Sequence, residues 1–438
     1  MSDIKDDPAE WWSPVLRFAA RSDIGMRRTN NQDSHRLVPA ASRRLWRSRG
    51  HLFIVADGMG AHAAGELASQ IATETIAQSY LKRTTESPYD ALRSAVLDAH
   101  QQIKRQGSED DAFRDMGTTV DALVLLPEGA LVAHVGDSRV YRLRAGVFEQ
   151  LTFDHSLVWE IRRSKRHDAN KTPSYIPKNV ITRSLGPTEN PEVDLEGPFP
   201  IQPGDVYLLC SDGLSGQVED AELAQILNLL PPSDAAESLV NLANLRGGPD
   251  NCTMIIINPL AVPDPDAADE DERGYEKRPA LSTASWSLLA GAIGLTLLLP
   301  IILFTGAHFP LPALIPLALC ALIAWGIFFG VARETLFGRG KNRRVPKPFG
   351  RGPYVRLSAE PTAEFSQKLR ELFHQLRDVV KPQRLSVDWT MIDRLEQENE
   401  RQNAAGNFGA TIRSSLQGIN LLMKSLKGIL RPPSEKDA

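Results

Sequence analysis

Four aspartates share one setting. Asp57 directly follows the apolar run LFIVA (52–56) and precedes Gly58. Asp137 follows LVAHVG and precedes Ser138, and Asp212 follows VYLLCS and precedes Gly213. Asp250 follows Gly-Gly-Pro and precedes Asn251 and the run CTMIII. Each stands at an end of a strand-like run beside a small or flexible residue. Strands of one core can bring such ends together, and a cluster of acids there repels itself. Cations are the natural remedy, and hard carboxylate oxygens favour Mg²⁺ or Mn²⁺ over zinc. A fifth acid, Asp33, lies in GMRRTNNQDS (25–34) with Arg28 nearby. Arginine suits bidentate recognition of phosphate. Carboxylate-held cations with an arginine point to metal-assisted phosphoester hydrolysis. Taken singly, each feature is ordinary: an Asp-Gly pair marks a turn, His62 a surface or structural residue, and Arg28 a solvated charge. The joint pattern carries the argument.

The elements that must position these acids alternate along the first 258 residues. Strands are expected over 51–56, 118–126, 130–136, 139–146, 206–210 and 252–258, from short apolar runs bounded by turn residues. Helices are expected over 65–82, over 88–105 and as two stretches between 219 and 245. Central strands with paired helices suggest sheet-on-sheet packing with helices outside rather than a regular βαβ array.

Composition narrows the class. The 438 residues suggest two or three domains. A hydrophobic share of 42%, a charged share of 24% and a net charge of −4 argue against a nucleic-acid binder driven by bulk charge. The three cysteines, Cys210, Cys252 and Cys320, form no C-x-x-C pair, which fits a reducing compartment and argues against a zinc site. The first residues, MSDIKDDPAEWW, are acidic and lack the apolar stretch of a signal peptide.

After residue 258 the character changes. Residues 259–283 read as an acidic, proline-rich linker. From Pro279 to Ala332 there is no Asp, Glu, Lys or Arg, a run of 54 residues (332 − 279 + 1). One membrane helix needs about 20, so the run suits two spans, expected at 286–306 and 311–331 within a hairpin over 284–332. A basic segment, 333–360, follows; eight Lys or Arg and a single acid, Glu334, fall within 333–356. The region 361–438 carries amphipathic stripes, Phe365, Leu369, Leu372, Phe373 and Leu376 in one and Ile412, Leu416, Ile419, Met423, Leu426 and Leu430 in another, expected to be packing surfaces rather than cofactor sites.

The stretches SDIGMRRTNNQDS, FIVADGMGAHAAGE, DMGTTV, AHVGDSRVY, DHSLV, NVITRSLG, LLCSDGL and GGPDN occur in this order. Together they resemble the bacterial form of the metal-dependent serine/threonine protein phosphatases of type 2C, over about residues 15–258. The resemblance implies an α+β fold, a four-layer α-β-β-α sandwich with a two-metal Mn²⁺ or Mg²⁺ centre between the sheets. By the same resemblance Asp57 bridges both ions and the Gly58 carbonyl binds one. Asp212 and Asp250 hold the first ion and Asp33 serves the second, while Asp137 joins Asp212 at a third, weaker ion. Arg28 binds the substrate phosphate, His62 is the general acid toward the leaving alkoxide, and water between the ions is the nucleophile. Ala61 and Ala64 stand where the family often has glycine. The insert between Asp154 and Asn179 is the family's flap. The expected protein is a membrane-tethered phosphatase acting on phosphoserine and phosphothreonine in phosphoproteins, opposed by a serine/threonine kinase. It contacts membrane lipid but not nucleic acid, with two spans and both the catalytic domain and the C-terminus cytoplasmic. The alternatives are a pseudophosphatase, or a membrane interaction protein with the phosphatase domain as accessory.

Overall fold

Strands, numbered in chain order, form two antiparallel sheets in the computed structural model, which describes residues 16–61, 63–163, 177, 180–261, 349–383 and 385–430. The first sheet runs β1 (Leu16–Asp23), β11 (Cys252–Pro259), β10 (Val206–Cys210), β7 (Arg139–Arg144), β8 (Val147–Gln150), β12 (Val355–Ser358). The second runs β2 (Asp33–Val38), β3 (His51–Met59), β5 (Val120–Leu126), β6 (Gly129–Val135), β9 (Asp194–Phe199), with the short β4 (Gly117–Thr118) on β3. Helices α1 (Arg43–Arg49), α2 (Ala64–Lys82), α3 (Pro88–Glu109), α4 (Leu157–Arg163), α5 (Asp212–Ser215), α6 (Asp220–Leu229) and α7 (Pro232–Leu245) precede residue 261. Helices α8 (Ala363–Val380), α9 (Trp389–Ala404) and α10 (Phe408–Leu430) follow residue 349.

The apolar runs explain the layering. A strand buried on both faces reads as a continuous hydrophobic run, because successive side chains point to opposite sides. In β3, Leu52, Ile54 and Ala56 join the core under α2 and α3. The intervening Phe53 and Val55 join the core between the sheets, with Tyr207, Leu209, Ile255 and Ile257 from the other sheet. In β11 the alternate residues Met254 and Ile256 face a third core that contains α6 and α7. Three cores thus separate four layers, helices–sheet–sheet–helices, as expected.

The helical ends are sealed locally. Ser87 caps α3 by accepting the Asp90 N–H, and Glu219 with Glu222 forms a capping box on α6.

The region beyond residue 348 differs from the domain division expected from sequence. The described residues up to 261 and from 349 onward form one compact unit. The amphipathic stripes of α8 and α10 supply Phe365, Leu369, Phe373, Leu416, Ile419 and Met423 to the same core as Leu223, Leu239 and Leu242 of α6 and α7. The physical reason is that the outer faces of α6 and α7 are themselves apolar and need a cover. Asn420 fixes the docking: its Oδ1 accepts from Asn241 Nδ2 at 2.8 Å and its Nδ2 donates to Ser238 Oγ at 2.9 Å. Two of the eight basic residues of the segment 333–360 also belong to this unit. Arg356 lies on β12 with its Nε 2.8 Å from Glu149 Oε1, and Arg351 precedes it. The proposed spans at 284–332 lie outside the described residues; among the described residues no helix is long and apolar enough to cross a membrane.

Candidate metal centre

Strand pairing brings the first two acids together. In the register of β2 and β3, Asp33 stands directly opposite Asp57. Like charges in that position destabilise a sheet unless something offsets them. Asp137 follows the end of β6, Asp212 opens α5 just after β10, and Asp250 stands two residues before β11. The second sheet therefore delivers Asp33, Asp57 and Asp137, and the first delivers Asp212 and Asp250.

The backbone around Asp57 is held at both polar groups. Its N–H donates to Thr119 Oγ1 at 3.0 Å, and its carbonyl accepts from the Thr119 N–H at 2.8 Å and the Thr118 hydroxyl at 2.9 Å. Ser211 donates its hydroxyl to Asp33 Oδ2 at 2.8 Å. Asn251 ties the loop that carries Arg28 to the Asp250 turn: its Oδ1 accepts the Gln32 N–H, and its Nδ2 donates to the carbonyls of Ile24 and Asn30. Thr118, Thr119, Ser211 and Asn251 sit inside the motifs read from sequence, yet none was assigned a role there. Their neighbours Asp57, Asp212 and Asp250 are the signal that could have found them.

Gly58 is required for room rather than for freedom to bend. A Cβ there would lie 2.0 Å from the Gly65 carbonyl oxygen at the start of α2 and 2.5 Å from that of Gln32. The bend itself falls at Gly60, whose φ of +145° suits glycine. Ala64 is buried as the first residue of α2 and is accommodated there. His62 lies outside the described residues.

The electrostatics are those of an uncompensated acidic cluster. Burial, then repulsion from Asp33, Asp212, Asp137 and Asp250, holds Asp57 well above the ordinary carboxylate range. Although Asp57 keeps some accessible surface, protein atoms surround its carboxylate closely enough for burial to lead. Asp33 is pushed up to about 7, by burial first and by Asp212 and Asp250 after it. Asp137 is pushed up to about 7 by burial, then by Asp212 and Asp154. Asp212 is raised by burial and by Asp250. Two buried oxygens, Asp33 Oδ1 and Asp137 Oδ1, have no hydrogen-bond partner.

Orphaned buried carboxylate oxygens, an all-oxygen donor set and mutual repulsion fit hard divalent cations. Among the described residues no three acidic, His or Cys side chains close on one point as a finished coordination shell does, so the fit rests on burial and repulsion. Cys210 and Cys252 are buried, with burial pushing both thiols up, as expected of structural cysteines rather than zinc ligands.

Arg28 reaches the cluster at its rim. Its guanidinium Nη2 is 2.8 Å from Asp250 Oδ2, and both side chains are exposed enough for the pair to be weak. A cleft of about 450 Å³ runs over Asp137, Asp212 and Asp250 and is walled by Trp159, Ser215 and Pro249. A larger cavity, about 720 Å³, lies between β9 and residues 349–354 and contains none of the five aspartates. Chemistry rather than size therefore locates the site.

A family model described as Protein phosphatase 2C matches residues 26–243. Protein phosphatase PhpP of Streptococcus pneumoniae is 34% identical over 247 residues, covering 56% of this chain and 97% of that protein. Serine/threonine protein phosphatase PstP of Mycobacterium tuberculosis is 35% identical over 243 residues, covering 55% of this chain and 45% of that protein. Among solved structures, the catalytic domain of serine/threonine protein phosphatase PstP in complex with two manganese ions is 33% identical, with a TM-score of 0.47, covering 56% of this chain and 99% of that one.

Proposed function

The chain belongs to the protein phosphatase 2C family, and from that premise we propose a membrane-tethered serine/threonine protein phosphatase whose aspartates hold two Mn²⁺ or Mg²⁺ ions and a third, weaker one. The observation that carries the site is the facing of Asp33 and Asp57 across β2 and β3, with three further acids repelling them. Asp57 and the Gly58 carbonyl, with Asp33, Asp212 and Asp250, would hold the two ions; Asp137 with Asp212 would hold the third. Such ions, when bound, polarise a phosphate ester and activate water toward it. Arg28 binds the phosphate of the substrate, exchanging its exposed contact with Asp250 for a doubly charged, bidentate partner. The cleft beside Trp159 receives the phosphoprotein segment, and His62 gives its proton to the leaving alkoxide. A serine/threonine kinase would supply the phosphoprotein.

The membrane tether rests on the uncharged run 279–332. Two spans are favoured over one because the described residues up to 261 and from 349 onward share one compact unit, so the chain between them has to return to its starting side. The flank at 333–347 keeps six of the eight basic residues, those left after Arg351 and Arg356 (8 − 2). Such a flank favours the cytoplasmic side and contact with anionic lipid. The buried free thiols of Cys210 and Cys252 agree with a reducing compartment.

The test is hydrolysis of a phosphothreonine peptide and of p-nitrophenyl phosphate by the full chain with MnCl₂. Activity on both, lost in EDTA and in Asp57→Asn, is expected. A manganese-loaded protein inert toward both would overturn the assignment.

A further inference from the structure

His155 holds one peptide from both sides. Its backbone N–H donates to the Gly136 carbonyl at 2.7 Å, and its ring Nδ1 accepts the Gly136 N–H at 3.0 Å. Gly136 is the residue before Asp137. Because Nδ1 accepts from a peptide N–H, the ring's proton sits on Nε2, which lies 3.0 Å from Asp194 Oδ2. Asp194 is fixed in turn by Arg183, whose Nη1 is 3.2 Å from Asp194 Oδ1. The Gly136 peptide has little room to relax: its φ is +121°, and a Cβ there would lie 2.5 Å from the Thr119 side chain. Thr119 is the residue that clamps Asp57. The same histidine roots the flap, since its carbonyl accepts the Thr182 N–H at 2.7 Å while Leu157 N–H donates to the Val180 carbonyl at 2.9 Å.

We propose that His155 is a positioning residue for Asp137: its neutral ring, anchored by Asp194, locks the Gly136 peptide and so aims the Asp137 carboxylate at the weakest of the three cations. The mechanism proposed above gives His155 no part, and the inference rests on that mechanism's placing a cation at Asp137. The ring does not touch the cation; it sets the backbone from which the ligand hangs. Partners of this kind, one bond removed from a metal ligand, typically change affinity by roughly 10- to 100-fold when removed.

The experiment uses the full chain and Mn²⁺ alone as probe. Calorimetric titration counts the ions and gives their affinities, and hydrogen exchange follows the Gly136 amide. In His155→Gln the amide can still reach Asp194 but the acceptor for Gly136 is lost. In His155→Asn an oxygen can take the place of Nδ1. His155→Gln is expected to weaken the weakest Mn²⁺ site by roughly 10-fold or more and to speed Gly136 exchange, leaving the two tighter sites unchanged. His155→Asn, which regains the acceptor for Gly136 but not the contact with Asp194, should recover part of both. In an Asp137→Asn background His155→Gln should add nothing to the Mn²⁺ titration. An unchanged titration in His155→Gln, or a further loss on top of Asp137→Asn, overturns the proposal while leaving Asp137 a ligand. An Asp137→Asn protein that still binds its weakest ion normally removes both the ligand assignment and the role built on it. Should His155→Gln fail to fold, Asp194→Ala leaves the ring in place without its anchor. It is expected to weaken the same site, and an unaltered site in that variant counts against the proposal.

Discussion

Asp33 and Asp57 face each other across neighbouring strands, and no lysine or arginine forms an ion pair with either among the described residues. A folding sequence tolerates such a pair when cations offset the repulsion, so the residues that serve chemistry should cost stability in metal-free protein. Asp57→Asn removes one charge and keeps the shape. Turnover should fall to background, while the melting temperature in EDTA should rise by the equivalent of about 1 kcal/mol, the scale of one relieved cross-strand repulsion. With Mn²⁺ the order should reverse, since the wild type alone gains the full binding energy. A variant less stable than wild type in EDTA would show that the pair is satisfied without cations. Arg28 and His62 separate by substrate. Arg28→Ala should raise KM for p-nitrophenyl phosphate and a phosphopeptide alike, because both carry the phosphate. His62→Gln should spare p-nitrophenyl phosphate, whose leaving group needs no proton, and slow the phosphopeptide. Equal losses on both substrates for His62→Gln would remove its assignment as the acid.

The elements that deliver these residues differ in how plainly the sequence announces them. The runs behind β3, β5, β6, β10 and β11 are apolar on both faces because each lies between two cores, and such runs stand out. Edge strands do not. β2 (DSHRLV) is largely polar, β9 (DLEGPF) contains Gly-Pro, and β12 lies within a basic segment. An edge strand needs only one buried face, so its pattern fades into loop composition. Asp33 heads such a strand, which is why it entered through its motif and through Arg28, whereas Asp57, Asp137, Asp212 and Asp250 stood out beside their runs. Thr119, Asn251 and His155 act through hydrogen bonds that long-range folding alone creates. One edge device has a measurable pH signature. His51, at the start of β3, accepts the Ala40 N–H on Nδ1 at 2.9 Å and so pins the connection from β2. Burial pushes its pKa from 6.5 down to about 4. A depressed folded-state pKa gives stability that is full above the unfolded value and lost as pH falls from about 6.5 toward 4. The loss can reach about 3 kcal/mol at 1.36 kcal/mol per unit. His51→Asn keeps an acceptor and cannot titrate, so the gap in stability between variant and wild type should narrow or invert in that window. Parallel denaturation curves across it would show that His51 stays neutral in both states.

At the scale of the whole molecule, the C-terminal helices decide what can be removed. The match to PhpP spans 97% of that protein but 56% of this chain. Here α8 and α10 complete the core of α6 and α7, and β12 extends a catalytic sheet. Deleting residues 353–438 would therefore expose apolar faces rather than release an intact phosphatase domain. A smaller change tests the coupling: Leu416 is fully buried in the shared core, and Leu416→Ala should cost about 2–5 kcal/mol. Activity and helical signal should then be lost in one denaturation transition; catalysis surviving past the loss of the helices would show two independent units. The same continuity constrains topology. A strap enters at Phe349, bridges to Gly197 at the edge of β9, places Gly352 N–H and the Tyr354 hydroxyl on Glu196, and continues into β12 beside β8. The chain leaves this unit after β11 and comes back to it at the strap, so any membrane crossing between has to be even in number. One span would put β12 and β8 on opposite sides of a bilayer. Alkaline phosphatase fused at position 308 should be active, and a fluorescent protein fused at 438 should glow. An active alkaline phosphatase at 438, in a protein that still hydrolyses phosphopeptide, would contradict the pairing of β12 with β8 as well as the two-span hairpin.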